Sequence, residues 1–166
     1  MATTGDHAAI DPGSLCIREV GAGDEAAIDE LLGGLDAQSR YRRWFTGGVD
    51  IRGAEDWAAH PERMAGVGLL VFSADRPVGH AVLVPTGDGR AEVAFEVAAQ
   101  WRRHGIASAL LERLLEEAAD RGLREIYADV LPENADMLAV LREHGEHVES
   151  RRGGIVVVTL PAPYRS

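Results

Sequence analysis

The 166-residue sequence predicts an α/β (α+β) domain built on a mixed, mostly antiparallel central sheet of about six to seven strands, flanked by helices on both faces. Three observations predict it. Short runs of alternating apolar residues recur along the chain, which is the period of a strand with a buried face. Stretches of helical period at 106–121 and 134–144 separate such runs in the second half. Glycine-containing turns fold neighbouring runs back into hairpins.

The elements follow in order. Residues 1–14 are polar and lack the apolar core of a signal peptide, so a disordered tail is expected, with one domain over 15–161. Residues 15–20 read as a strand, and Gly23-Asp24 caps a helix over 25–32 that Gly33-Gly34 ends. A second short helix is expected over 36–47, carrying Tyr41, Trp44 and Phe45, and a further turn over 55–60 before Pro61. Runs 66–73 and 79–84 form a hairpin around 74–77, and the turn 86–89 leads into a strand over 91–97. The helix over 106–121 stops at Gly122, a position that favours glycine after a helix. A strand over 125–130, a helix over 134–144, and a hairpin of 147–151 with 155–160 around Arg152-Gly153-Gly154 complete the chain.

Composition narrows the function. The chain is 46% hydrophobic, which suits a globular core, and its net charge of −10 argues against nucleic acid or an anionic membrane as partner. No apolar run approaches a membrane span, and one cysteine excludes an internal disulfide, so a cytoplasmic location is expected. The neighbours of Cys16 suggest a buried, inert thiol on a strand. All 17 basic residues are arginine. Codon bias explains that most simply, and protection of a lysine-modifying enzyme from acylating itself is the functional alternative.

The most informative stretch is 91–108, AEVAFEVAAQWRRHGIAS. Alternation places Val93, Phe95 and Val97 on one face of a strand and Glu92, Ala94 and Glu96 on the other. The strand runs into Arg102-Arg103-His104-Gly105-Ile106-Ala107 and then a helix. A helix N-terminus presents unpaired N–H groups and partial positive charge, so small residues and arginines at that point suit a pyrophosphate.

The spacing Arg102-x-x-Gly105-x-Ala107 between strand and helix resembles the acyl-CoA signature of the GNAT superfamily of N-acetyltransferases, Gln/Arg-x-x-Gly-x-Gly/Ala. Downstream, a strand, Pro132-Glu133-Asn134, a helix and Gly145 resemble that superfamily's next element, so the likeness spans residues 15–160. The resemblance implies acetyl-CoA as cosubstrate, no metal, and a monomer or homodimer. It implies cofactor contacts at Phe95, Glu96 and Val97, where the family's strand bulges and a backbone N–H polarises the thioester. Further contacts are implied at Arg102, Arg103, His104, Gly105, Ile106, Ala107 and Ser108, and at Asn134, whose amide would reach the pantetheine while also capping its helix.

Acyl transfer to an amine requires a proton acceptor, because an ammonium group has a resting pKa near 10. The resemblance implies Glu92 as that base, in Ala91-Glu92-Val93; Glu96 is the second candidate, and a glutamate on a solvated strand face is the bland alternative. Many members place an acidic tyrosine seven residues after the asparagine, where this chain has Leu141, and Glu146 stands where an aromatic usually follows the glycine. Tyr127, Tyr164 and His144 are nominal substitutes. Residues 35–45, LDAQSRYRRWF, resemble a segment of bacterial protein-lysine acetyltransferases and lean the acceptor toward a protein lysine. A small-molecule amine acceptor and a non-catalytic acyl-CoA-binding module are the alternatives.

Overall fold

A computed structural model describes residues 15–33 and 58–164. The expected helix over 36–47 and the first part of the turn over 55–60 lie outside the described residues. Seven strands form one sheet: β1 (Leu15–Glu19), β2 (Val67–Ser73), β3 (Arg76–Gly87), β4 (Arg90–Val97), β5 (Glu125–Val130), β6 (Val148–Arg152) and β7 (Ile155–Pro161). Among the helices that lie wholly within the described residues are α1 (Glu25–Gly33), α2 (Ile106–Asp120) and α3 (Ala135–Glu143). The strand order is β1-β2-β3-β4-β5-β7-β6. Every neighbouring pair is antiparallel except β4 with β5, which α2 connects as a parallel crossover.

Alternation assigns the faces. Leu69 and Val71 of β2, Val93 and Phe95 of β4, and Ile126 and Ala128 of β5 pack with Leu110, Leu111 and Leu114 of α2 and with Leu138 and Leu141 of α3. Leu70, on the opposite face of β2, packs with Ile28 and Leu32 of α1. Helices therefore cover both faces, and each strand buries what its period predicts.

The turns explain where observed boundaries depart from expectation. β3 begins at Arg76, because Ala74 adopts a φ of 52° and closes a tight turn with Asp75. Pro77 is accommodated within the strand because the register shifts beside it, between Val71 and Phe72 of the partner. At its other end β3 continues to Gly87, leaving Asp88-Gly89 as a two-residue turn with both φ angles positive. Helix α2 ends in a paired motif, in which Gly122 N–H reaches the Ala119 carbonyl and Leu123 N–H reaches that of Ala118. Cys16 is exposed rather than buried. It lies on the edge strand, whose neighbours the helices only partly cover.

Candidate functional site

Strands β4 and β5 pair only from Arg90↔Glu125 to Glu92↔Tyr127. Beyond Glu92 they diverge, while β4 keeps its pairing with β3 through Val97 without a register shift. The expected bulge at Val97 is thus not the source of the opening. The opening is a slot between two parallel strands that stop pairing after Glu92↔Tyr127, while β5 stays paired with β7 from Glu125 to Val130.

The slot holds a cavity of about 290 Å³. Val93, Phe95 and Val97 line it from one face of β4, and Ala94 and Glu96 from the other. Ala128, Asp129 and Val130 line it from β5, and Asn134, Met137 and Val140 from the helical side. The cleft therefore passes through the sheet. Of the expected cofactor residues, Phe95, Val97 and Ile106 belong to the core, and Phe95 and Val97 also border the slot.

The approach to α2 is built by backbone conformation. Arg103 adopts a φ of 61° and Gly105 one of 79°, and the helix starts at Ile106 with no side-chain cap. Its first N–H groups are left for an anion. A Cβ built on Gly105 would meet nothing within 4 Å, so the space above this turn is open. The two arginines divide their work. Arg102 Nε donates to the Val97 carbonyl at 3.3 Å, and its Nη2 lies 3.9 Å from Glu96, which locks the turn to β4. Arg103 is 82% exposed and pairs with Asp136 of α3 at 3.3 Å across the mouth of the cleft. His104 Nδ1 donates to the Arg102 carbonyl at 2.7 Å. Ala107 lines the slot, and Ser108 stands in the first turn of α2.

Asn134 caps α3, accepting the Met137 N–H on Oδ1 at 3.4 Å, and also lines the cleft. Both expected roles are therefore compatible, since the amide N–H₂ is not consumed by the cap. Leu141 is fully buried in the core. Among the nominal acids, Tyr164 is almost wholly exposed at the end of the chain, and His144 lies near Glu112 on the far side of α2. Tyr127 alone stands beside Glu92.

Glu92 lies where the two strands part, half-buried, with its carboxyl pushed above the usual range. Burial is the main cause, and repulsion from the Asp129 carboxylate adds to it, while Arg152 opposes both. Tyr127 is raised as well, first by burial, against a lowering hydrogen bond from Thr86. Glu96 is 6% exposed and faces a wholly buried His80 across the β3–β4 ladder. Sequence reasoning missed three residues here: Asp129, His80 and Gly79. Alternation along β5 carried the signal for Asp129, since Glu125, Tyr127 and Asp129 oppose Ile126, Ala128 and Val130. Among the described residues no group of three His, Cys, Asp or Glu side chains is placed to hold a metal ion.

Comparison with known proteins agrees with this architecture. The chain resembles the GNAT domain of S. lividans PAT at 25% identity over 87% of this chain and 89% of that one, with a TM-score of 0.77. It is similar in fold to a spermidine N-acetyltransferase from Vibrio cholerae solved with CoA and spermine (20% identity, 90% and 96% covered, TM-score 0.69). A Salmonella typhimurium protein solved with its cofactor acetyl-CoA shares the fold at 18% identity, with 92% and 96% covered and a TM-score of 0.68. No curated protein matches the chain by sequence. The model of the acetyltransferase (GNAT) family matches residues 34–145, two thirds of the chain and every residue that lines the slot, and the chain belongs to that family.

Proposed function

We propose that this protein transfers the acetyl group of acetyl-CoA to a primary amine, with Glu92 as the general base. The observation that carries the reading is the slot. It runs from Arg103 and Ala107 beside an uncapped helix N-terminus toward the point where β4 and β5 part, and the half-buried Glu92 carboxylate stands at that point.

The residues present fit the cosubstrate. The N–H groups at the start of α2 and the Arg103 guanidinium would hold the pyrophosphate, and Gly105 leaves room for it. Val93, Ala128, Val130, Met137 and Val140 offer an apolar wall to the pantetheine arm, and the Asn134 amide a hydrogen-bond donor. When bound, acetyl-CoA supplies the acyl group as an activated thioester. Glu92 takes the proton from the acceptor ammonium and leaves the nitrogen lone pair free to attack. A carboxyl raised by burial is a better acceptor for that proton than an exposed glutamate. The main chain of β4 beyond Glu92 borders the place where a carbonyl would be polarised.

The acceptor we favour is a protein lysine side chain, on the likeness of residues 35–45 to protein-lysine acetyltransferases, a segment outside the described residues. A polyamine is the second reading, on the Vibrio cholerae neighbour solved with spermine. Thiol release from acetyl-CoA should be measured against spermine, small primary amines and a protein extract. Release with the extract, and acetyl-lysine on its proteins, supports the first reading. Release with spermine alone supports the second, and release with no amine contradicts the proposal.

A further inference from the structure

Asp129 is an acidic group of the slot that the reading above leaves without a task, and its surroundings are unusual. Its side chain is 7% exposed, yet it lines the open part of the cleft. It lies two residues beyond Tyr127, the cross-strand partner of Glu92, and so on the same face of the sheet. Its carboxylate is near enough to Glu92 to repel that residue's charge. Oδ1 is buried and finds no hydrogen-bond donor among the described residues. Oδ2 receives a single long contact, 3.4 Å, from Nη2 of Arg152, which reaches over from β6 and is 75% exposed. A buried carboxylate with one oxygen unsatisfied is costly, and an exposed partner offsets little of that cost. The site is set to receive a better cation than the one it has.

We propose that Asp129 anchors the ammonium group of the acceptor, forming with Glu92 a two-carboxylate station, and that Arg152 holds this station as an internal surrogate cation until an acceptor displaces it. The inference rests on the reading of Glu92 as base and deepens it. An alkylammonium brings three N–H donors. One can satisfy Oδ1 of Asp129 and one can face Glu92, which then removes the proton. The arrangement selects cationic amines over neutral nucleophiles. The Asp129 carboxylate also raises the Glu92 carboxyl until the ammonium arrives.

Asp129→Asn is nearly isosteric and tests this with spermine and Nα-acetyl-lysine amide as probes. The KM for the amine should rise about ten- to hundredfold, as loss of a charged hydrogen bond predicts, with the KM for acetyl-CoA unchanged. A second readout is the titration of the Glu92 carboxyl, followed by NMR and by the acidic limb of kcat/KM. The groups facing Glu92 are Asp129 and Tyr127 of β5, Arg90 of β4 above the Tyr127 ring, and Arg152 of β6, with Glu96 and His80 further along the face. Removing the Asp129 charge should move that titration to lower pH. Arg152→Gln should move it to higher pH and lower the amine KM about two- to fivefold, since a competing cation is gone. A purely structural Asp129 would not produce opposite shifts in the two variants. An unchanged amine KM in Asp129→Asn, or shifts of the same sign, overturns the proposal. If Glu92→Gln is inactive while Asp129→Asn behaves as the parent, only the anchor fails; if Glu92→Gln is fully active, the base assignment beneath it fails.

Discussion

Single polar side chains fasten this fold where its elements meet. Asp24 precedes α1 and accepts the Gly21 N–H at 2.7 Å and both terminal nitrogens of Arg18 at 2.8 Å, tying β1 to the helix. The Arg18 hydrogen bonds hold its carboxyl below the usual aspartate range. A depressed carboxylate stabilises the fold above its unfolded pKa, and that contribution disappears as pH falls through the folded value. Asp24→Ala should therefore cost about 1–2 kcal/mol near neutrality, moderated by the half-exposed arginine, and almost nothing in strong acid. Urea melts at two pH values check it. Asn134 is a different case, because its cap and its place in the cleft use different atoms. Asn134→Asp keeps the acceptor and loses the donor, so thermal stability should stay near the parent while acetyl-CoA affinity falls more than twofold by calorimetry. The alternation of β4 made Glu92 and the core positions Val93 and Phe95 legible in the sequence. Asp129 was not, because its meaning depends on which strand lies beside it. Alternation along β5 put it on the polar face, but the long-range ladder of β5 with β4 decides that this face meets Glu92.

Elements were legible wherever period and turn chemistry agreed. Helix α2 follows its stripe of Ile106, Leu110, Leu111 and Leu114 and stops at Gly122, as such a sequence requires. Less legible were the strand ends, since Pro77 and Gly87 signal turns locally yet pair within β3. Gly79 shows what tertiary contact adds. A Cβ there would stand 2.9 Å from Ile106 Cγ2 and 3.3 Å from Val71 Cγ2, so the absence of a side chain lets the start of α2 settle onto the sheet. Gly79→Ala should destabilise by about 1–3 kcal/mol through overpacking. It should also weaken acetyl-CoA binding, because the displaced element carries the N–H groups of the anion site. Ile106→Ala removes the opposing methyl, so the double variant should lose less than the sum of the two single losses. Additive losses would show that the two side chains do not share this space.

At the scale of the molecule, function follows from one topological fact: β4 and β5 run parallel and separate after Glu92. The separation opens the sheet from face to face. It leaves the N-terminus of α2 beside the slot and the half-buried Glu92 where the strands part. The sequence motif identified the first and left the second to a resemblance. The central claim is that Glu92 is the base that makes this slot an enzyme site. The direct measurement is steady-state turnover of Glu92→Gln from neutral to alkaline pH, beside its acetyl-CoA affinity. General-base catalysis contributes about 10²–10⁴-fold, so neutral turnover should fall by that factor while affinity for acetyl-CoA stays at the parental value. Alkaline pH should recover part of the loss, because more of the acceptor amine then arrives unprotonated. Parental turnover in Glu92→Gln at neutral pH would contradict the account, and loss of turnover in Glu96→Gln alone would move the base to Glu96.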